Sequence, residues 1–180
     1  MIKKFTESIK ANFAGTVIDI ETIGSFCDQY SDSRRYKDHQ MVILGLINKH
    51  TIEIFCAEGK PAVAELVDKT LEILGRLERP LYAFNSEFER GVFFYNLGLK
   101  FTFDGELQFG RESKANACRM LRIPNYDDPF FDKGLYCMDA WIKGEFDNAV
   151  AHNRACLLKE RDILLKRGFS KPQELRFVKL

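Results

Sequence analysis

Two acidic residues stand two positions apart inside a run of β-branched residues, Gly15-Thr16-Val17-Ile18-Asp19-Ile20-Glu21-Thr22. Residues i and i+2 of a strand point to the same face, so Asp19 and Glu21 would project together, with Cα atoms roughly 7 Å apart. Neighbouring carboxylates repel each other, and each is costly to bury without a partner. A hard divalent cation relieves both problems. The alternative is an edge strand that exposes an acidic face to solvent, and this segment leaves both interpretations open.

A second candidate ligand is Glu89, in the first turn of a helix that is predicted to begin just after a short strand over 80–84. Ligand sites in α/β proteins concentrate at such carboxyl ends of strands. However, Ser86 precedes Glu89 by three residues, which is the spacing of a capping box. In that case Glu89 would only accept a hydrogen bond from the Ser86 backbone. The spacing alone does not separate a ligand from a cap.

A third candidate group lies on a helix predicted over 145–167. His152, Cys156 and Glu160 are spaced i, i+4 and i+8 and therefore share one face. A histidine that faces acidic metal ligands can deprotonate a water, although a lone helical histidine is also common as a surface or core residue. Glu160 lies about 6 Å further along the helix axis than Cys156. It is favoured over Asp162 as an additional ligand, because Asp162 falls on a different face.

The elements that position these residues indicate an α/β fold with a mixed central sheet flanked by helices. The chain is expected to form a single domain over 1–180, with its core over about 15–168. Residues 1–14 are expected to be a short amphipathic helix or a loose lead-in, and 169–180 remain unassigned. Strands are predicted over 15–22, 40–48, 51–57, 80–84 and 100–109, with a hairpin turn at Lys49-His50. Helices are predicted over 61–77, from 86, and over 112–122, 132–143 and 145–167.

Composition sets limits on location and partners. With 46% hydrophobic residues the chain can build a sizeable core, yet no run approaches the ~18–20 apolar residues of a membrane span. The N-terminus lacks the apolar stretch of a signal peptide. We therefore expect an intracellular, cytoplasmic location and no membrane association. Five cysteines without a CxxC pair predict free thiols.

Charge gives no overall support for binding nucleic acid, because the net charge is only +1. Phosphate contacts would have to come from local basic groups, for which an ordinary solvated surface is the alternative. The candidates are Arg34, Arg35 and Lys37 in a polar loop, followed by Arg111, Lys114, Arg119 and Arg122.

Taken in order, the three motifs resemble those of the ribonuclease H-like superfamily, specifically the DEDD-type 3′–5′ exonucleases. The first family motif is Asp-x-Glu on the first strand, and Asp19-Ile20-Glu21 matches it. The second has the form Asn-x-x-Phe-Asp at a strand-to-helix junction, and Asn85-Ser86-Glu87-Phe88-Glu89 matches it with Glu in the last position. The third is Tyr or His followed four residues later by Asp, which aligns with His152 and Cys156. A subgroup of predicted nucleases is the most similar, since its third motif follows a loop and a Trp-containing helix, here 127–134 and Trp141.

The resemblance implies hydrolysis of phosphodiester bonds in single-stranded DNA or RNA with two Mg²⁺ or Mn²⁺ ions. It implies that Asp19 bridges both ions, that Glu21 and Glu89 bind metal, and that His152 orients or deprotonates the attacking water. Glu160 is the expected substitute for the missing fourth carboxylate. Contacts to nucleic acid are expected from three further residues, Asn85, Phe88 and Thr22.

Cys156 is the main departure from the family pattern. A thiol is a soft ligand that suits Mg²⁺ poorly, and it is mostly protonated at neutral pH unless a cation lowers its pKa. The second ion would then be weakly held. Two hypotheses follow, namely a slow, Mn²⁺-preferring 3′–5′ exonuclease and a catalytically impaired ribonuclease H-like module that binds nucleic acid or a protein partner.

Overall fold

A six-stranded mixed sheet forms the centre of the protein in the computed structural model, which describes residues 1–179. The strands run in the order β1-β4-β3-β2-β5-β6, where β5 and β6 are parallel to β2 and all other neighbours are antiparallel. This arrangement confirms an α/β fold with a mixed sheet. The strands are β1 Ile2–Ser8, β2 Thr16–Ile23, β3 Gln40–Ile47, β4 Thr51–Ala57, β5 Leu81–Ala83 and β6 Gly105–Glu106.

Five α-helices pack around this sheet: α1 Val63–Leu74, α2 Ser86–Leu97, α3 Lys114–Leu121, α4 Gly134–Ile142 and α5 Phe146–Arg167. All five were predicted from periodicity and stop signals, although α1 is shorter than expected. It begins after a 3-10 turn over Lys60–Ala62 and ends at Gly75. The strand predicted over 100–109 is reduced to two residues.

The prediction for residues 1–14 is wrong, because Ile2–Ser8 forms an edge strand. It pairs with β4 in a register that runs from Ile2 opposite Ala57 to Ser8 opposite Thr51. Lys4 contacts Glu53 across this pair at 2.5 Å. The pairing depends on a partner some 50 residues away, so local periodicity did not indicate it. Lysines on such an edge also discourage pairing with another chain.

The acidic strand β2 lies in the interior of the sheet, between β3 and β5. Its side chains Val17 and Ile18 are fully buried and contribute to the core. This position rules out the alternative of an edge strand with a solvated acidic face. It also places Asp19 and Glu21 beneath α5, which packs against β2 and β3.

The close approach of α5 to the sheet depends on Gly45, which lies opposite Asp19 in β3. A Cβ atom at Gly45 would lie only 2.0 Å from Oδ1 of Asn153 on α5. A larger residue would therefore force the side chain of Asn153, and with it the packing of α5 on β2, to change. Gly45 thus allows α5 to deliver its side chains to the acidic strand.

The cysteines and the helices of this fold bear on two expectations drawn from composition. All five cysteines are free thiols, and four of them are buried. None of the helices formed by residues 1–179 combines the length and apolarity that crossing a bilayer requires.

Candidate active site

Side chains from four elements meet in one cleft of about 600 Å³. The cleft brings together all three motifs identified in the sequence, since β2, the start of α2 and the middle of α5 each contribute to its wall. Helix α3 contributes a lysine. The titratable residues concerned are Asp19 and Glu21 on β2, Glu89 on α2, Lys114 on α3, and His152 and Cys156 on α5.

Asp19 and Glu21 share one face of β2, as strand alternation predicts. Asn153 Nδ2 donates to Asp19 Oδ2 at 2.7 Å and to Glu21 Oε1 at 3.4 Å. Burial, to which the charge of Asp19 adds, raises the pKa of Glu21 to about 7 against the opposing effect of His152. Asn153 was missed in the sequence, where an Asn between two candidate ligands carries no distinguishing signal.

Glu89 does not form the capping box that its spacing allowed. The helix has no side-chain cap, and Ser86 Oγ donates instead to Glu106 Oε2 at 2.6 Å. Glu89 is 4% exposed, and its Oε2 has no hydrogen-bond partner among the described residues. Burial, together with the negative charge of Asp19, raises the pKa of Glu89 well above its usual range. A buried carboxyl group without a partner can be stabilised by a proton or by a cation.

Lys114 places an ammonium group between two of the acids. Its Nζ lies 2.9 Å from Asp19 Oδ1 and 2.5 Å from Glu160 Oε1. Burial opposes the charged form, but Asp19, Cys156 and Glu160 outweigh it and raise the pKa of Lys114 well above its ordinary value. Lys114 is therefore a cation at neutral pH. The sequence placed it only among candidate phosphate contacts, since its inward direction depends on how α3 packs on α5.

Glu160 faces this cluster, as its position on α5 suggested. It is fully buried, and burial raises its pKa although Lys114 acts in the opposite direction. Asp162, the alternative, instead contacts Arg161 and Tyr126. Glu160 therefore contacts Lys114 and stands near Asp19, in the region where a fourth carboxylate was expected.

His152 lies between two acids, Asp128 and Glu21. Its Nδ1 is 2.7 Å from Asp128 Oδ1, and its Nε2 is 3.8 Å from Glu21 Oε1 and 3.7 Å from Cys156 Sγ. Burial lowers the pKa of His152, but Cys156, Glu21 and Asp128 outweigh it and raise that pKa to about 11. A protonated imidazole can orient a water or a phosphate oxygen, whereas accepting a proton requires the neutral form.

Asp128, which was not among the residues predicted from the sequence, accepts four hydrogen bonds next to the site. Its Oδ1 accepts hydrogen bonds from His152 and from the Phe130 amide, and its Oδ2 accepts from Lys159 and from the Asp132 amide. Despite burial, the bonds from His152 and Lys159 hold the pKa of Asp128 well below its usual range. Asp128 thereby fixes both the 128–132 loop and the orientation of the His152 ring.

Two of the three residues expected to contact nucleic acid line the cleft, namely Asn85 and Phe88. The third, Thr22, lines an adjoining pocket of about 440 Å³ and bonds through Oγ1 to His39 Nδ1 at 2.9 Å. Of the basic residues in the polar loop, Arg34 pairs with the buried Asp32. Its cationic group is thus already engaged within the protein.

The donor set of the cleft can hold a metal ion. Glu21, His152 and Cys156 each offer one ligand atom, and these atoms lie within 4.8 Å of one another. A second trio within the same limit consists of Asp128, Asp132 and Cys156. The unpartnered Oε2 of Glu89 adds a buried oxygen on the same cleft. The residues present therefore fit a divalent cation.

Comparisons of the chain with protein-family models, with curated proteins and with solved structures find no match.

Proposed function

We propose that the protein is a metal-dependent 3′–5′ exonuclease with a ribonuclease H-like fold that hydrolyses single-stranded DNA or RNA. The observation that carries the proposal is the convergence of Asp19, Glu21 and Glu89 on one cleft, where one oxygen of Glu89 has no hydrogen-bond partner within residues 1–179. Three acids from two separate sequence motifs are costly to gather in a buried place without a cation. The mixed sheet, with its acidic strand between an antiparallel and a parallel neighbour, is compatible with the fold proposed.

Residues of the cleft divide into groups with different tasks. Mg²⁺ or Mn²⁺ would be held by the four acids Asp19, Glu21, Glu89 and Glu160. When bound, such an ion would activate a water and stabilise the leaving oxygen of a phosphodiester. The proton held by His152 would orient a phosphate oxygen or the attacking water. The ring of Phe88 offers a surface on which an unpaired base can stack.

A catalytically impaired module is the second candidate, and the surroundings of Asp19 favour it. Lys114 occupies Asp19 Oδ1, and Asn153 occupies Oδ2. A metal bound to Asp19 would have to share these oxygens with Asn153 and approach against the positive charge of Lys114. In such a module the cleft would bind a nucleic acid or a protein without turning it over.

Degradation of end-labelled single strands separates these candidates. DNA and RNA oligonucleotides, labelled in turn at each end, would be incubated with the protein in Mg²⁺, in Mn²⁺ and in EDTA. The proposal predicts stepwise shortening from the 3′ end that requires metal and is lost in Asp19→Asn. Asp68→Asn is the matched control, because Asp68 is an exposed carboxylate on α1. Binding without shortening in either metal would favour the impaired module, and full activity in Asp19→Asn would contradict the proposal.

A further inference from the structure

We propose that Glu21, His152 and Cys156 form a site for one borderline-soft divalent ion of the Zn²⁺ or Co²⁺ class. This inference rests on the proposed function for the role of the ion but goes beyond it. It assigns a metal of a different class from Mg²⁺ or Mn²⁺, and it makes His152 a ligand through Nε2 instead of a proton donor. Binding itself requires no cleavage, so the two can be tested separately.

The arrangement of the three ligands on two elements supports such a site. His152 and Cys156 lie one turn apart on α5, with Nε2 and Sγ separated by 3.7 Å. Ligands at i and i+4 of a helix are a recurrent way to chelate zinc. Glu21 approaches from β2, with Oε1 3.8 Å from the same Nε2. Three protein ligands with room for a further group are the usual composition of a catalytic zinc site.

Asp128 holds the histidine in the orientation that a ligand needs. It bonds to Nδ1, so that Nε2 is the ring nitrogen that faces Glu21 and Cys156. A carboxylate on the distal nitrogen is the common partner of a metal-binding histidine. The buried ammonium of Lys159 fixes this carboxylate in turn, with Nζ 2.8 Å from Asp128 Oδ2.

The chemistry of the ligands decides the class of ion. Mg²⁺ prefers oxygen ligands, whereas thiolate and imidazole together favour Zn²⁺ and its neighbours. Binding would release one proton from the Cys156 thiol and one from the His152 imidazolium to solvent, because both groups must be deprotonated to act as ligands. Lys114 already supplies a positive charge to Asp19 and Glu160, on the far side of the same cluster. One metal ion and the Lys114 ammonium group would together neutralise the acids that would otherwise require two metal ions.

The other candidate trio is a weaker choice. Both oxygens of Asp128 are occupied, each by one side chain and one backbone amide. Asp132 Oδ1 is held at 2.8 Å by Lys159. A metal at that position would have to break these contacts, whereas Glu21 Oε1 accepts one long hydrogen bond, from Asn153 at 3.4 Å, and faces His152, which is itself a ligand of the proposed site.

Titration of the purified 180-residue chain with Co²⁺, followed by optical absorption, tests the site. We expect one Co²⁺ ion to bind per chain and to give a thiolate-to-cobalt charge-transfer band. Added Zn²⁺ should displace the cobalt and abolish this band. Cys156→Ser should lose the band, whereas Cys56→Ser, which alters an equally buried thiol on β4, should keep it. Asp128→Asn should weaken Zn²⁺ binding by roughly 10–100-fold. Mg²⁺ in excess should not displace the cobalt.

The inference would be overturned if the wild type showed no charge-transfer band, or if the band persisted in Cys156→Ser. Should Cys156→Ser fail to fold, Glu21→Gln provides the second variant, since it keeps the size of the side chain. It should keep the band but bind Zn²⁺ more weakly, and unchanged affinity would contradict the site. Thiolate-bound cobalt without any nuclease activity would contradict only the proposed function, and cleavage without the band would contradict only the site.

Discussion

Lys114 Nζ lies 2.9 Å from Asp19 Oδ1, so the first acid of β2 is paired with a cation that the protein itself provides. The same ammonium contacts Glu160, and Asn153 occupies the other oxygen of Asp19. The cleft therefore has one part around Lys114 in which Asp19 is neutralised, and another part in which Glu21 Oε1 lies 3.8 Å from His152 and Glu89 Oε2 has no hydrogen-bond partner among the described residues. This division determines how the cleft should respond to mutation.

Replacing Lys114 with Met should destabilise the metal-free protein. The change leaves Asp19 and Glu160 close together without a counter-charge, and we expect a loss on the order of 3 kcal/mol, the low end for a broken buried pair because Lys114 keeps some exposure. Divalent metal should restore part of the loss. Urea unfolding in EDTA and in Mn²⁺ would measure both effects. Lys69→Met is the control, since Lys69 forms only an exposed pair with Glu72, and an equal loss in both variants would contradict this role.

Replacing Asp128 with Asn should be among the most damaging changes near the site. It removes one of the two counter-charges of the buried Lys159, which keeps Asp132, and the charged partner of His152 Nδ1. We therefore expect a loss near the lower end of the roughly 3–5 kcal/mol that a broken buried pair costs. The adjacent Asp127 is exposed and has a positive φ that Asn tolerates. Asp127→Asn should therefore change the free energy of unfolding by no more than about 0.5 kcal/mol. Similar stabilities for the two variants would show that the contacts of Asp128 do not stabilise the fold.

Cys156→Asp should change which metal supports activity. An aspartate adds a hard oxygen ligand on the same helical face, so cleavage in Mg²⁺ or Mn²⁺ should increase relative to the wild type. Cys156→Asn has nearly the same shape without the charge and should give no increase. Initial rates on a labelled single strand would be compared in both metals. Equal rates for the Asp and Asn variants would mean that the fourth carboxylate does not limit the reaction.

Acid should weaken the attachment of the C-terminal segment through Asp32. The Arg34 guanidinium, with help from Arg176, holds the pKa of the Asp32 carboxyl well below its ordinary value of 3.8. A carboxyl whose pKa is lowered by folding contributes stability above its unfolded pKa and loses it as the pH falls towards the folded pKa. Asp32→Asn should thus be less stable than the wild type at neutral pH.

The difference in the free energy of unfolding between Asp32→Asn and the wild type should become smaller below about pH 4. Urea unfolding over a series of pH values would measure it. Asp28→Asn, which alters a largely exposed partner of Arg35, is the control and should show little difference at any pH. If the loss of stability in Asp32→Asn stayed constant as the pH fell, the lowered pKa of Asp32 would not be the cause of the pH dependence.

Local periodicity was sufficient to predict the elements that carry the three motifs. The apolar runs of β2 and β3, the tight turn of the β3–β4 hairpin and the helical spacing along α5 are all short-range signals. The strand β1 was missed because its stability comes from pairing with β4, and nothing within its own seven residues requires a strand. The edge strand β1 and the two-residue β6 were thus the strands that local signals described wrongly, and the extent of each is set by a pairing partner elsewhere in the chain.

The same limit applies to the candidate site. Asp19, Glu21 and Glu89 could be named as candidates in advance because they match the order of the motifs in the family that the sequence resembles, although each had a structural alternative when taken alone. Lys114 and Asp128 could not, since each acquires its role from side chains at least 24 positions away in the chain. A lysine in a polar helix and an aspartate in a loop are ordinary surface residues until the packing of α3 and of the 128–132 loop is known.

Two glutamates in the first turn of α2 offer the most direct test of the central proposal, that the acidic cleft performs metal-dependent cleavage. Glu89 lines the cleft and has an unpartnered oxygen, whereas Glu87 accepts a hydrogen bond from Tyr36. The measurement is the rate of shortening of a 3′-labelled or 5′-labelled single strand by Glu89→Gln and by Glu87→Gln in the metal that best supports the wild type. The proposal predicts that Glu89→Gln abolishes shortening while Glu87→Gln retains it. Retained shortening in Glu89→Gln, or none in the wild type with any divalent metal, would contradict it.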